Sequence, residues 1–418
     1  MSSRIEDYAL LGDLHTAALV GRDGSIDWLC LPHFDSPACF AALLGDMENG
    51  HWLLAPAAGG TCTHRQYRGD TLVLETFWQT PEGTVRVVDC MPPGDQSTDV
   101  VRIVEGISGK VPMHGVLRLR FDYGRVVPWV RRVNRQVVAV AGPDSAWLST
   151  PAPLAGRDFA THSEFTVSEG ERVPFVLTWH RSWERPPKPI DPYSALDETE
   201  AWWADWMAQT NYDGAWQGEV RRSLIVLKAL TYHPTGGIVA APTTSLPEQI
   251  GGPRNWDYRY CWLRDAALTL QALAGAGFIA EAGRWRDWLL RAVAGDPADL
   301  QIMYGLTGSR RIPELELPWL SGYEGSTPVI IRSNATQAIT FECTKCCRSP
   351  RISHSPLSGS DQCASRNSSR LICSAQASSL PDRPASRANA SPSSVSPQTS
   401  SCSCSAAALP IRTGVEPS

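Results

Sequence analysis

All 16 Trp and all 10 Tyr of this 418-residue chain lie before residue 331. From Ile331 to Ser418 there is a single aromatic residue, Phe341, beside 22 Ser and 7 of the 12 Cys. Charge divides at the same place. Residues 1–330 hold 29 Lys+Arg against 39 Asp+Glu, and residues 331–418 hold 9 against 4. A segment so poor in apolar surface cannot offset the entropy of ordering its own backbone, so 331–418 is predicted to be a disordered tail. The Cys343-x2-Cys346-Cys347 cluster reads poorly as a metal site. A structural zinc needs four ligands at paired spacings, and Cys363, Cys373, Cys402, Cys404 and His354 follow at scattered intervals. Richness in Ser, Arg, Pro, Ala and Cys is also what out-of-frame translation of a GC-rich gene yields, which makes a frameshift near 330 the expectation for this segment ahead of an ordinary disordered extension.

The part before the break carries the fold. Its acidic balance argues against a nucleic-acid partner, which would require a clustered basic excess. The opening Met1–Asp7 has Arg4, Glu6 and Asp7 where a secretory signal would have an apolar run. The longest nearly apolar helical stretch, Ala266–Ala280, is too short to span a bilayer. Cytoplasmic location without a membrane partner is the expectation, and Cys30, Cys39, Cys62, Cys90 and Cys261 are expected to be reduced. Oligomeric state has no sequence signature here.

From Tyr8 to about Arg185 the pattern is β. Thr71–Trp78, Val85–Asp89, Val116–Phe121 and Pro174–Trp179 are short, rich in β-branched or aromatic residues, and separated by Gly, Pro and Asp turns, as in an antiparallel sandwich. Gly21-Arg-Asp-Gly-Ser25 reads as a hairpin turn. After the Pro-rich 185–192 segment the period becomes helical, with helices predicted over Tyr193–Gln209, Trp216–Tyr232, Trp262–Gly275 and Ile279–Ala294. The domain reading is a β-sandwich over 1–190, a helical linker over 191–214, a partial all-α domain over 215–330 and the tail.

Chemistry concentrates at Asn255-Trp-Asp-Tyr-Arg-Tyr-Cys-Trp-Leu-Arg-Asp265. Trp256, Tyr258, Tyr260 and Trp262 recur at every second position, which puts four aromatics on one side of an extended chain. Asp257, Arg259, Arg264 and Asp265 interleave. Aromatic faces stack on the C–H faces of a sugar, while charged forks hydrogen-bond its hydroxyls. The same residues also fit core packing, with Asp265 complementing a helix dipole. Stacking of single-stranded nucleic acid is a third reading, opposed by the charge.

Asp257-Tyr-x-Tyr-x-Trp-x-Arg-Asp265 resembles the signature of glycoside hydrolase family 15, the glucoamylase-like enzymes with their glucodextranase and trehalase relatives. Tyr8–Pro37 resembles the opening of the bacterial members, and Gly322-Tyr-Glu-Gly-Ser-Thr-Pro-Val329 resembles a later segment. The resemblance implies a β + α multidomain fold, an N-terminal antiparallel β super-sandwich followed by an (α/α)6 six-hairpin barrel of which only the first helices are present. It implies inverting, exo-acting hydrolysis of an α-glucan, oligosaccharide or trehalose without metal or organic cofactor. By position it implies that Trp262, Arg264 and Asp265 line the sugar subsite at the scissile bond, with Tyr258 close to the catalytic centre. Trp256 is expected as an extra stacking surface and Tyr323 as a neighbour of the same pocket.

The chain departs from the family at its chemistry. The family's acid lies in a Glu-x-Gly-Ile-Trp-Glu-like segment, which does not occur here, and the motif of its base is also missing. Glu248, Glu314, Glu316 and Glu324 lie in other contexts, and the catalytic pair is left unassigned. A truncated, inactive hydrolase is therefore expected. The alternative is a non-catalytic β-sandwich remnant with weak saccharide binding.

Overall fold

The computed structural model describes residues 3–94, 97–296 and 300–332. The tail reading lies outside these residues except at its first two positions. There Ile331 is buried and pairs with Leu315, so packed structure continues past the compositional break.

Strands Ala9–Gly12, Ala17–Val20, Ser25–Cys30 and His51–Pro56 pair in that order, all antiparallel. They join a 21-residue strand, Thr98–Arg118, which is the seam of the molecule. Its second half pairs with His51–Pro56 and Ala160–Ser168, and its first half with Gly83–Cys90 and Arg172–Arg181. One strand thus serves two facing sheets. The change of sheet falls at Gly106 and Gly109, where an added Cβ would lie 2.0 Å from the carbonyl oxygens of Ser168 and Glu82, and Gly109 has φ +70°. Only glycine admits that approach. The second sheet continues outward from Arg172–Arg181 through Asp144–Ser149 and Gln136–Ala141 to an edge strand, Trp129–Val133.

Between the sheets Leu11, Ile26 and Leu54 meet Val87, Val104 and Phe175 in one continuous core. The residues of this inner core all come from the β segment, Ala9 to Leu177. The outer faces do not close there. Helix Pro192–Met207 covers one of them, setting Leu196 on Val88, Val101 and Val176. Residues Leu317, Leu320 and Val329 cover the other, over Leu19, Trp28 and Cys30. Strand Ser25–Cys30 is accordingly buried at every position instead of alternating. Trp28 is fully buried and donates its indole N–H to the Pro242 carbonyl at 2.8 Å.

Helix Pro192–Met207 starts where the sequence dictates. Asp191 accepts from the backbone N–H groups of Tyr193 and Ser194, and Pro192 takes the first turn, where its missing N–H costs nothing. Gln217–Ala229, Leu263–Gly275 and Ile279–Ala292 follow. In Leu263–Gly275 only Ala266 and Leu273 are buried, and Leu268 is 63% exposed. Its apolar outer face has no covering element among the described residues.

Candidate functional site

Asn255–Trp262 is extended because it has backbone partners along its length. The N–H groups of Ser245, Ala241 and Ala240 donate to the carbonyls of Trp256, Tyr258 and Tyr260, and Cys261–Trp262 pairs with Met303–Tyr304. Side chains then alternate strictly between two faces.

The front carries the four aromatics. Tyr260 and Trp262 pack with Met303, while Trp256 and Tyr258 lie half-buried at their side. The Tyr258 and Trp262 ring centroids are 5.6 Å apart, and the Trp262 indole donates to the Asp257 carbonyl at 3.1 Å. The shared aromatic side expected from the spacing is present.

The back carries Asp257, Arg259 and Cys261, all fully buried. Arg259 donates to both Asp257 oxygens (3.0 and 2.7 Å), to the Ser36 carbonyl (2.8 Å) and to the Tyr123 hydroxyl (2.9 Å). Burial opposes the guanidinium charge, but the Asp257 carboxylate more than offsets it and holds the Arg259 pKa well above its usual value. Asp257 also accepts the Arg332 backbone N–H at 2.9 Å. The interleaved charges therefore separate. Asp257 and Arg259 fasten the strand to the β layer and do not face a ligand, because the back of this strand is pressed against the segment around Phe34.

Arg264 and Asp265 lie beyond the strand, in the first turn of helix Leu263–Gly275, and have side chains 57% and 32% exposed. Asp265 Oδ2 is 3.3 Å from the Arg264 guanidinium, yet this buried oxygen accepts no hydrogen bond. With Arg264 as its ion-pair partner and no hydrogen bond accepted, this oxygen keeps lone-pair capacity for a ligand hydroxyl.

Glu248 lies in irregular chain, outside any helix or strand. It accepts the Trp256 indole N–H at 2.9 Å and pairs with Arg254 at 3.1 Å, so it joins the rim of the aromatic face. Burial raises the Tyr258 pKa, and the charges of Glu248 and Asp265 add to the shift against Arg264 and Arg254. The turn that folds Glu248 back onto Trp256 is the missing signal, and it is not a motif in the chain. Tyr323 is not brought to this face. It packs with Leu19, Trp28 and Leu320, and its hydroxyl donates to the Ser3 carbonyl at 3.3 Å.

Among the described residues no group of three His, Cys, Asp or Glu is placed to hold a metal ion, and no helix is long and apolar enough to cross a membrane. Cys30, Cys39, Cys62, Cys90 and Cys261 are unpaired.

Residues 216–338 match the model of glycosyl hydrolases family 15, and residues 1–159 match that of the trehalase-like N-terminal region. The trehalase of Mycolicibacterium smegmatis is 35% identical over 365 residues, covering 79% of this chain and 54% of the relative. That of Thermoplasma volcanium is 30% identical over 355 residues, with 81% and 55% covered. A bacterial glucoamylase complexed with acarbose superposes with a TM-score of 0.54 at 12% identity, over 74% of this chain and 53% of that one, a likeness of fold. The chain spans about half the length of the curated relatives it matches. With matching sequence models in both its β and its helical parts, and a glucoamylase-like fold joining them, the chain belongs to glycoside hydrolase family 15, among its trehalase- and glucoamylase-like members.

Proposed function

We propose that the front of residues 256–265 is a subsite for one glucosyl unit of an α-glucoside, with trehalose ahead of malto-oligosaccharides. Trp256, Tyr258 and Trp262 form the apolar wall, and Arg264 and Asp265 are the hydroxyl-binding fork. The single observation that carries this reading is the open, buried Asp265 oxygen at the end of an aromatic face. A purely structural carboxylate at a helix start would accept backbone N–H groups, as Asp191 does. The preference for trehalose rests on the curated relatives, which are trehalases.

We further propose that this polypeptide binds such a sugar without hydrolysing it. Inversion at an α-glucosidic bond requires a protonated carboxyl on the leaving oxygen and a carboxylate activating water from the opposite face, about 6.5–9.5 Å apart. Glu248 is tied to Trp256 and Arg254, and Asp265 is assigned to hydroxyl binding, so neither is free to be that pair. Saturation-transfer NMR with trehalose, maltose and cellobiose, run beside a glucose-release assay, tests both parts. Transfer to trehalose and maltose, lost in Asp265→Ala, with no glucose released, is the expected result. Absence of transfer removes the subsite, and glucose release abolished by Asp265→Ala removes the inactivity.

A further inference from the structure

The two faces of the strand continue toward its start. Asn255 is fully buried on the back, where its amide donates to the Pro328 carbonyl at 3.0 Å. Alternation therefore brings Arg254 to the front, beside Trp256. A turn folds the preceding chain onto the same face. The backbone N–H of Glu248 donates to the Arg254 carbonyl at 3.2 Å, and that of Gly252 to the Gln249 carbonyl at 2.8 Å. Gly251, at φ +76°, donates to the hydroxyl of the fully buried Ser326 at 2.8 Å. Glu248 and Arg254 thus stand on a fastened turn, 3.1 Å apart, with side chains 39% and 57% exposed.

Trp256 joins this pair to the aromatic face. Its indole N–H lies in the plane of the ring and reaches Glu248 Oε1 at 2.9 Å. The carboxylate thus meets the edge of the indole and covers neither of its faces. Tyr258 follows on the front, and its hydroxyl feels the charges of Glu248 and Arg254 as well as those of Arg264 and Asp265. One Arg–carboxylate pair therefore precedes the aromatic row and another follows it. The Glu248–Arg254 pair is balanced in charge. It also keeps hydrogen-bonding capacity, because a guanidinium has five N–H donors and a carboxylate about four acceptor sites.

We propose that Glu248, Arg254 and the face of Trp256 form a second sugar subsite, which holds one glucosyl unit of trehalose while Arg264 and Asp265 hold the other. This inference rests on the glucosyl subsite proposed above and assigns the place of the ligand's second ring. The C–H face of that ring stacks on the indole, and its vicinal hydroxyls bridge the carboxylate and the guanidinium at the indole edge. A balanced pair suits a neutral polyol better than a sugar phosphate, which calls for an excess of cation.

Calorimetric titration of the full chain with trehalose and with methyl α-glucoside, which has a single ring, tests the proposal. Trehalose is expected to bind about tenfold more tightly or better, the scale of one hydrogen bond to a charged group. Arg254→Ala should weaken trehalose by about the same factor and leave methyl α-glucoside within about twofold of the parent. Glu248→Gln, which can still accept the Trp256 indole N–H, should act in the same direction. An exposed ion pair adds little to stability, so both variants should keep the parent's thermal unfolding. A ring merely displaced by either substitution would weaken both ligands alike. Asp265→Ala should abolish binding of both. Equal affinity of the parent for the two ligands, trehalose binding unchanged in Arg254→Ala, or an equal loss for both ligands would overturn the second subsite and leave the first standing. Binding of neither ligand by the parent would remove the first subsite, and this inference with it.

Discussion

Replacing Arg259 by Met tests whether the aromatic face is held in place from behind. Arg259 and Asp257 have no exposed side-chain surface, and the guanidinium donates to Asp257 twice and to Ser36 and Tyr123 once each. Met fills a similar volume but takes the guanidinium away from the buried Asp257 carboxylate, which still accepts the backbone N–H groups of Arg259 and Arg332. Breaking a buried pair from one side costs about 3–5 kcal/mol. Against a net stability of about 5–15 kcal/mol this is a large fraction, and at about 2.1 cal/mol/K per residue over roughly 330 residues it corresponds to about 4–7 °C in Tm. The companion Asp257→Leu/Arg259→Met removes the orphaned charge as well, and should recover part of the loss, with a coupling of about 0.5–3 kcal/mol. Arg264→Met, at a guanidinium 57% exposed, should stay within about 0.5 kcal/mol of the parent. Differential scanning fluorimetry with urea unfolding on these four proteins and on Asp257→Leu, which completes the cycle, gives the comparison. A change below about 2 °C for Arg259→Met, or strict additivity of the pair, would refute the anchoring argument.

The remaining predictions concern burial and charge elsewhere. Asp13 is 1% exposed, with Oδ1 accepting from the backbone N–H groups of His15 and Thr16 and Oδ2 without a partner; burial pushes its pKa up from 3.8 to about 6. The folded state then binds this proton more tightly than the unfolded state, so stability falls as pH rises through that window. Asp13→Asn should match the parent near pH 4 and exceed it near pH 7 in urea unfolding, and equal curves at both would count against the shift. Leu273 is fully buried while Leu268, on the same helix, is 63% exposed. Leu273→Ala should cost about 2–5 kcal/mol and Leu268→Lys less than about 0.5, and a reversed order in thermal unfolding would mean the helix faces the other way. Trp256→Ala, at a half-buried ring, should weaken trehalose binding with little change in Tm, whereas a large Tm loss with binding intact would make this ring core.

What the chain disclosed of its fold came from local rules. Turn residues between short β-branched runs mark the strands, and the change to a helical period after the Pro-rich 185–192 segment marks the helices. What it withheld depended on long-range contacts. The every-second-position pattern over 256–262 defines two faces but not which of them meets water. By residue type Asp257 and Arg259 look as fit for a sugar as Arg264 and Asp265. Their fate is set by Tyr123, Cys30 and Ser36, more than a hundred positions earlier in the chain. The same reasoning accounts for Glu248, which reaches the rim only because a turn returns it to Trp256. It also accounts for the outer sheet faces, whose cover comes from helix and loop residues after 190.

The proposed sugar subsite inherits that division. A sugar-binding wall must be rigid, since a ring displaced by an ångström loses its stacking and misplaces the hydroxyls. Here rigidity on the front is supplied from the back, by an ion pair that no ligand touches. Asp265 Oδ2, beside its Arg264 partner and accepting no hydrogen bond, keeps a position for a ligand hydroxyl. A strand held only by its aromatic face could shift to fill that position itself, whereas one fixed by the buried Asp257–Arg259 contacts is held in register.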